Sequence, residues 1–246
     1  MAMHRFFVDP AAMEGGIARL SEEDAAHALR VLRLKAGDEI RICDGCDQEY
    51  PAWIEEANKK TVTVTARMGA GYDLKAEPAT RVTLYQGVPK AGKMEYLVQK
   101  GTEIGICRFV PFFSSRCVVK PGKDKGERYG RVAYEAAKQA HRGAVPQVEL
   151  PVDFAGLCQA LQGHELALAA WEEERALSVR AALSAAPGAR DIALVVGPEG
   201  GLSAGETEEL ARAGAQVVTL GPRILRTETA GAVLAALVLY EKGDMQ

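Results

Sequence analysis

Residues 223–229, with the sequence RILRTET, gather groups that could do chemistry. Two guanidinium groups, two hydroxyls and a carboxylate stand directly before an apolar helix. Thr227 or Thr229 can cap the helix N-terminus, and Glu228 complements the helix dipole there. Arg223 and Arg226 are not explained in this way, because cations at a helix N-terminus oppose the dipole. Such a conflict with the rules of helix stability is expected at functional sites.

Two turns indicate where these groups would act. Apolar runs at residues 192–196 and 217–220 each stop at a Gly-Pro pair, which predicts rigid turns at two strand ends. The carboxyl ends of parallel strands are where α/β sheets bind ligands. Neither GPEGG at 197–201 nor the second turn matches a phosphate-binding or dinucleotide-binding pattern, which excludes ATPases and dehydrogenases. Either backbone groups hold a flat neutral ring such as adenine, or these are two tight turns without a ligand.

Hydrophobic periodicity supplies the elements that would position these turns. Residues 1–72 predict a small β-barrel with one helix, which opens at the capping pattern of residues 21–24. Residues 69–80 form a Gly- and Pro-rich linker without periodicity. From Arg81 onward strands and helices alternate, and the last helix covers residues 229–241, which predicts an α/β domain with a mainly parallel sheet. We therefore predict domains at 1–72 and 73–246.

The charge distribution points to a polyanionic partner. Residues 81–142 hold thirteen Lys and Arg against five Asp and Glu, although the net charge of the chain is −3. Such an excess predicts a nucleic-acid surface, and the alternative is a set of solvated faces. The histidines are scattered along the sequence and form no motif. Cys43 and Cys46 form a C-x-x-C pattern, but they flank a turn signal. Cys117 is either a nucleophile or a buried apolar group. We expect no metal site, no membrane span and a cytoplasmic location.

Several motifs resemble one enzyme family. The segments GPEGGLS at 197–203 and LGPRILRTETA at 220–230 are similar to the signature loops of the SPOUT superfamily of trefoil-knotted RNA methyltransferases. The whole chain resembles its ribosomal RNA small subunit methyltransferase E branch, which makes N3-methyluridine in 16S rRNA. The further motifs that carry this resemblance are HRFFV near the start, HALRVLRL at 27–34, KMEYLVQKGTEIG at 93–105 and SSRCVVK at 114–120.

The resemblance implies an architecture, a donor and partners. It implies a PUA-like N-terminal RNA-binding domain, a knotted SPOUT methyltransferase domain and a homodimer that acts on 16S rRNA of the 30S subunit. The donor would be S-adenosylmethionine (SAM). The SAM-binding residues implied by the family motifs are Ala170, Trp171, Gly197, Leu220, Gly221, Ile224, Leu225 and Ala230.

The resemblance also implies catalytic roles. Arg226 would stabilise the uracil anion, and Glu228, Glu199 or Glu172 would accept the N3 proton. The segment KQAHR at 138–142 departs from the family pattern at Lys138 and His141. The proposed RNA contacts are Arg5, His27, Arg30, Arg33, Lys90, Lys93, Arg116, Lys120 and Arg142.

Two alternatives remain open at this stage. A ribose 2′-O-methyltransferase of the same superfamily shares the loops but attacks with a hydroxyl group. A non-catalytic RNA-binding protein could retain the fold without binding the donor.

Overall fold

The structure, a computed structural model, describes residues 3–90, 92–119 and 126–245. Within these residues the chain forms two compact units. The first contains Met1–Glu77 together with Ala137–Val145, and the second contains Pro78–Ala136 together with Pro146–Gln246. The short segment 137–145 thus belongs to a unit from which it is far removed in sequence.

The first unit is built on one curved sheet. Its strands follow the order β1-β4-β5-β6-β3-β2, with β7 paired to β5, and only β1 and β4 run parallel. The strands are β1 (His4–Phe7), β2 (Met13–Glu14), β3 (Ile17–Arg19), β4 (Glu39–Cys43), β5 (Gln48–Asn58), β6 (Thr63–Met68) and β7 (Tyr72–Asp73).

The helix of the first unit begins as predicted. The Ser21 side chain accepts a hydrogen bond from the Asp24 N–H, which caps α1 (Glu22–Ala26). The chain then widens into a π-helical turn over His27–Val31. Ala25, Ala28 and Leu29 face inward and complete an apolar core with the alternating buried side chains of the sheet.

Segment 137–145 is held in the first unit by polar contacts. The Arg5 guanidinium donates to the Arg142 carbonyl, and the Arg142 guanidinium pairs with Glu77. The Glu77 carboxylate also accepts the Gly143 N–H, and the Gly143 carbonyl accepts the Asp47 N–H. Arg5 and Arg142 are buried, so their charges are satisfied inside the unit.

The second unit is an α/β layer structure. All strand pairs of its sheet are parallel, in the order β10-β9-β8-β12-β11-β13. The strands are β8 (Arg81–Gly87), β9 (Arg108–Phe112), β10 (Gln147–Val148), β11 (Leu166–Ala170), β12 (Asp191–Val196) and β13 (Gln216–Val218). The helices are α2 (Lys93–Ile104), α3 (Gly126–Gln139), α4 (Phe154–Leu161), α5 (Val179–Ala185), α6 (Ala204–Arg212) and α7 (Thr227–Glu241).

Most predicted elements of the second unit are present. The box that caps α6 forms in full, with Ser203 and Glu206 exchanging side-chain and backbone hydrogen bonds. The sequence analysis predicts neither α4 nor α5, because helices of about two turns are too short to show a clear hydrophobic period. In the described part of the chain no helix is long and apolar enough to cross a membrane.

The packing around Gly143 generates a prediction. A Cβ atom at this position would lie 2.6 Å from the Asp47 Cα, which is backbone and cannot step aside. We expect Gly143→Ala to lower the free energy of unfolding by about 1–3 kcal/mol. Gly130→Ala is the matched control, because its added methyl group would meet no atom within 4 Å and alanine favours the helix. Urea unfolding measures both variants, and equal stability of Gly143→Ala and wild type would contradict the prediction.

Candidate active site

The carboxyl ends of the central parallel strands converge on one cavity. Strands β12 and β11 are adjacent, and β13 lies on the other side of β11. The loops that follow these three strands, residues 197–202, 171–175 and 219–226, line a cavity of about 330 Å³ together with the start of α7. The two Gly-Pro turns predicted from the sequence therefore face the same space.

The cavity contains most of the residues that the family resemblance assigned to the site. Arg226, Glu199 and Glu172 line it. Glu228 does not line the cavity, but it forms an ion pair with Lys93, which does. All eight residues assigned to the donor also line it, namely Ala170, Trp171, Gly197, Leu220, Gly221, Ile224, Leu225 and Ala230.

Hydrogen bonds among three polar groups connect the elements that form the cavity. The Thr227 hydroxyl donates to the Gly197 carbonyl at 2.6 Å, and the Gln86 amide nitrogen donates to the Thr227 hydroxyl at 2.7 Å. Gln86 and Thr227 are buried. These bonds join the end of β8, the loop after β12 and the first turn of α7. The predicted capping role of Thr227 or Thr229 is wrong, because Arg226 occupies the N-cap position and Thr227 is already helical.

The loop that carries GPEGG is packed from two sides. A Cβ atom on Gly87 would lie 2.8 Å from the Gly197 carbonyl carbon, so glycine is needed where β8 passes the loop. On the other side Arg116 donates to the carbonyls of Gly200 and Leu202 at 3.1 and 3.2 Å. Arg116, proposed as an RNA contact, therefore engages the loop itself.

A lysine bridges two carboxylates beside the cavity. Lys93 is the first residue of α2, and its Nζ lies 3.1 Å from Glu199 Oε1 and 3.2 Å from Glu228 Oε2. The two neighbouring carboxylates, Glu199 first and then Glu228, raise the pKa of Lys93. Burial would raise the pKa of Glu199, but hydrogen bonds from its own N–H, the Lys90 N–H and Lys93 outweigh burial and lower it. Glu199 is therefore held as a carboxylate.

The loop after β11 closes another side of the cavity. The Trp171 indole donates to the Leu202 carbonyl at 3.3 Å, which links this loop to the one after β12. The carboxyl carbon of Glu172 lies 3.0 Å from where a Cβ on Gly201 would be. Arg175 donates to the backbone carbonyls of Glu172 and Glu174 and lines the cavity. The Arg175 side chain therefore stabilises the backbone of this loop.

The residues proposed as RNA contacts fall into different environments. Arg30, Arg33 and Lys90 are exposed, and His27 is half-buried. Lys120 lies outside the described residues. Arg5 and Arg142 are buried in ion pairs with Glu49 and Glu77, so we assign them to the framework of the first unit.

Sequence reasoning missed Gln86 and Arg175, and it named Lys93 only as an RNA contact. Gln86 ends an apolar strand that is buried along its length, and a polar side chain in that position needs a partner. Lys93 opposes the dipole at the start of α2, so the argument applied to Arg223 and Arg226 would have selected it too. Arg175 carries no comparable signal. Among the residues described, no cluster of His, Cys, Asp or Glu is arranged to hold a metal ion.

The floor of the cavity supplies a stability prediction. Thr227→Val keeps the shape of the side chain but removes both hydrogen bonds of the hydroxyl, so we expect a loss of about 1–3 kcal/mol in the free energy of unfolding. Thr229→Val is the matched control, because Thr229 is exposed on the same helix and its replacement should change stability by less than about 0.5 kcal/mol. A Thr227→Val protein as stable as wild type in urea unfolding would disprove this role.

Comparison with known proteins agrees with this architecture. The profile of the RNA methyltransferase domain family matches residues 76–239, and that of the RNA methyltransferase PUA domain matches residues 20–66. The ribosomal RNA small subunit methyltransferase E of Bacillus subtilis is 32% identical, with 97% of each chain covered. The protein of that name from Mycobacterium bovis is 32% identical over 95% of this chain and 90% of its own.

Solved structures extend the likeness to the fold. A ribosomal RNA small subunit methyltransferase E from Neisseria gonorrhoeae, solved with bound S-adenosyl methionine, has a TM-score of 0.82 at 27% identity and covers 97% of both chains. The predicted fold class, a mainly parallel α/β SPOUT methyltransferase domain with an N-terminal PUA-like domain, is confirmed. The chain belongs to the ribosomal RNA small subunit methyltransferase E family.

Proposed function

We propose that this protein uses SAM to methylate N3 of a uridine in the 16S rRNA of the small ribosomal subunit. The observation that carries the proposal is the mixed lining of the cavity. The turn residues Gly197, Leu220 and Gly221 line it together with the charged residues Lys93, Glu199 and Arg226. The names of the relatives support the ribosomal substrate.

The residues present fit SAM. The turn after β13 contains Gly221 with φ at 98°, in the left-handed region that favours glycine, and Gly221 lines the cavity. Ala170 and Ala230 keep the neighbouring wall small and apolar. Such a surface suits the neutral adenine ring, and it lacks the lysine and glycine pattern that a phosphate would need. When bound, SAM supplies a methyl group on a positively charged sulfur, which keeps the electrons of the broken carbon–sulfur bond.

Uridine N3 must lose a proton to become a nucleophile. Of the three carboxylates named from the sequence, Glu199 both lines the cavity and is fixed by the Lys90 N–H and by Lys93. A general base must be positioned before its pKa matters, which favours Glu199 as the proton acceptor. The side chain of Glu172 lies against Gly201, and Glu228 stands behind Lys93.

The proposed role of Arg226 is to stabilise the negative charge that develops on the uracil ring. Arg226 is the N-cap residue of α7, its side chain makes no capping hydrogen bond, and it lines the cavity. As N3 loses its proton, negative charge spreads to the two uracil carbonyl oxygens, where a guanidinium group stabilises it. This use explains why a cation occupies a helix N-terminus that would otherwise exclude it.

We also propose that two copies of the chain pair and that the protein acts in the cytoplasm, as the family resemblance implies. The exposed side chains of Tyr96 on α2 and of Leu237 and Tyr240 on α7 support an apolar contact surface on the second unit.

Arg226→Ala tests the catalytic assignment. We expect kcat for methyl transfer to unmethylated 30S subunits to fall by about 100-fold or more, with SAM affinity by titration calorimetry within about twofold of wild type. Arg212→Ala, at an exposed position of α6, is the charge-matched control and should behave as wild type.

The products of the same reaction test the proposed function. Labelled methyl groups should appear in N3-methyluridine after nucleoside digestion. Label in 2′-O-methyl nucleosides would instead identify a ribose methyltransferase, and absence of SAM binding would identify a non-catalytic RNA-binding protein.

Arg30 in the first unit tests RNA binding. It is exposed within the π-helical turn, and as a phosphate contact it should contribute about one unit to the slope of log affinity against log salt. We expect Arg30→Ala to reduce that slope accordingly, measured by 30S binding at several salt concentrations. Arg19→Ala, exposed on β3, is the control, and an unchanged slope in Arg30→Ala would remove this residue from the interface.

A further inference from the structure

Lys93 stands where three parts of the site meet. It opens α2, and its ammonium group contacts Glu199 in the loop after β12 and Glu228 in the first turn of α7. Its side chain is partly buried, with 30% of its surface exposed, whereas Lys90 three residues earlier is exposed. A lysine that only contacted an RNA phosphate would not need two carboxylate partners within the protein.

The two carboxylates need a cation between them. Because both touch the same ammonium group, their oxygens lie within about 6 Å of each other, a distance at which like charges disfavour ionisation of one partner. Glu228 Oε2 is buried and has no hydrogen bond. Its ionic contact with Lys93 is therefore its main compensation for burial, although the geometry is not that of a hydrogen bond.

We propose that Lys93 is a positioning residue for methyl transfer, whose ammonium group keeps the Glu199 carboxylate ionised and aimed into the cavity beside Glu228. This inference rests on the proposed function, in which the N3 proton passes to Glu199. Lys93 does not take the proton itself, since it already carries one. It neutralises one of two negative charges and thereby extends to lower pH the range in which Glu199 is ionised and able to accept the N3 proton.

Other charged groups share this environment. Glu172, Arg175, Arg223 and Arg226 line the same cavity, and Lys90 precedes α2. Arg175 is engaged by backbone carbonyls of its own loop. Among the described residues, Lys93 is the cation that forms ion pairs with both Glu199 and Glu228.

The experiment compares the pH dependence of kcat in Lys93→Met, Lys93→Arg and wild type on unmethylated 30S subunits. Without a cation beside it, the ionised form of Glu199 is disfavoured, so the pKa of Glu199 rises. The acid limb of the profile, which is the pH below which activity is lost, therefore also moves up. We expect the acid limb of Lys93→Met to move up by about one pH unit, so that kcat falls by about tenfold at pH values below the wild-type limb and changes little near neutrality. Lys93→Arg should restore the acid limb, because it retains the charge.

Two further variants separate this role from others. Lys93→Met combined with Glu228→Gln should return the acid limb toward that of wild type, because the second substitution removes the opposing charge. Lys100→Met removes a lysine from the same helix and should leave kcat and its pH profile unchanged, since Lys100 pairs with the exposed Glu103 and does not line the cavity.

A second readout does not depend on turnover. The carboxyl carbon-13 resonance of Glu199 should titrate at a higher pH in Lys93→Met than in wild type, with SAM absent from both samples. Thermal unfolding of each variant shows whether it is folded. If Lys93→Met does not fold, the same comparison is made between wild type and Glu228→Gln, in which the Glu199 resonance should move to lower pH.

Each outcome decides one question. A Lys93→Met enzyme with an unchanged pH profile, a raised KM for 30S subunits and a smaller salt slope would overturn the inference and make Lys93 a phosphate contact. Wild-type protein that transfers no methyl group to uridine N3 would refute the proposed function instead, while the resonance of Glu199 would still report whether Lys93 controls its ionisation.

Discussion

The hydroxyl of Thr227 is the contact on which the geometry of the cavity depends. It donates to the Gly197 carbonyl and accepts from Gln86, so one buried group connects β8, the loop after β12 and the start of α7. Parallel strands bring their ends to a common edge, but they do not fix the loops that leave that edge. These hydrogen bonds do, and the absence of a side chain on Gly87 lets the loop approach closely enough to make them.

The cavity is lined by two kinds of residue. Those proposed to bind the donor are uncharged, which suits a flat neutral ring. Lys93, Glu199 and Arg226 line the same cavity, and their charges suit the proposed reaction, in which a proton leaves and negative charge develops. Several of these charges oppose local helix stability, and Lys93 and Arg226 both stand at helix N-termini. The fold thus accepts a local cost where the chemistry needs a cation.

Local patterns in the sequence predicted much of this structure. The capping signals at Ser21 and Ser203 and the apolar period of α2 and α7 depend on neighbours within one or two turns. The Gly-Pro pairs likewise indicate where two strands end, because proline restricts φ and lacks a backbone N–H donor. Family motifs then supplied the fold class, which the comparisons confirm, and the assignment of residues that line the cavity.

The sequence by itself therefore determined the elements, the turns and the family, because each is encoded by neighbouring residues or by a motif. Only the tertiary structure decided how charged residues are used. Arg5 and Arg142 look like RNA contacts in a basic sequence, yet they are buried against Glu49 and Glu77. Lys93 looks like a phosphate contact, yet it bridges carboxylates from positions 199 and 228. The physical reason is that an ion pair depends on distance in space, and partners tens to more than a hundred residues apart leave no local signal in the chain.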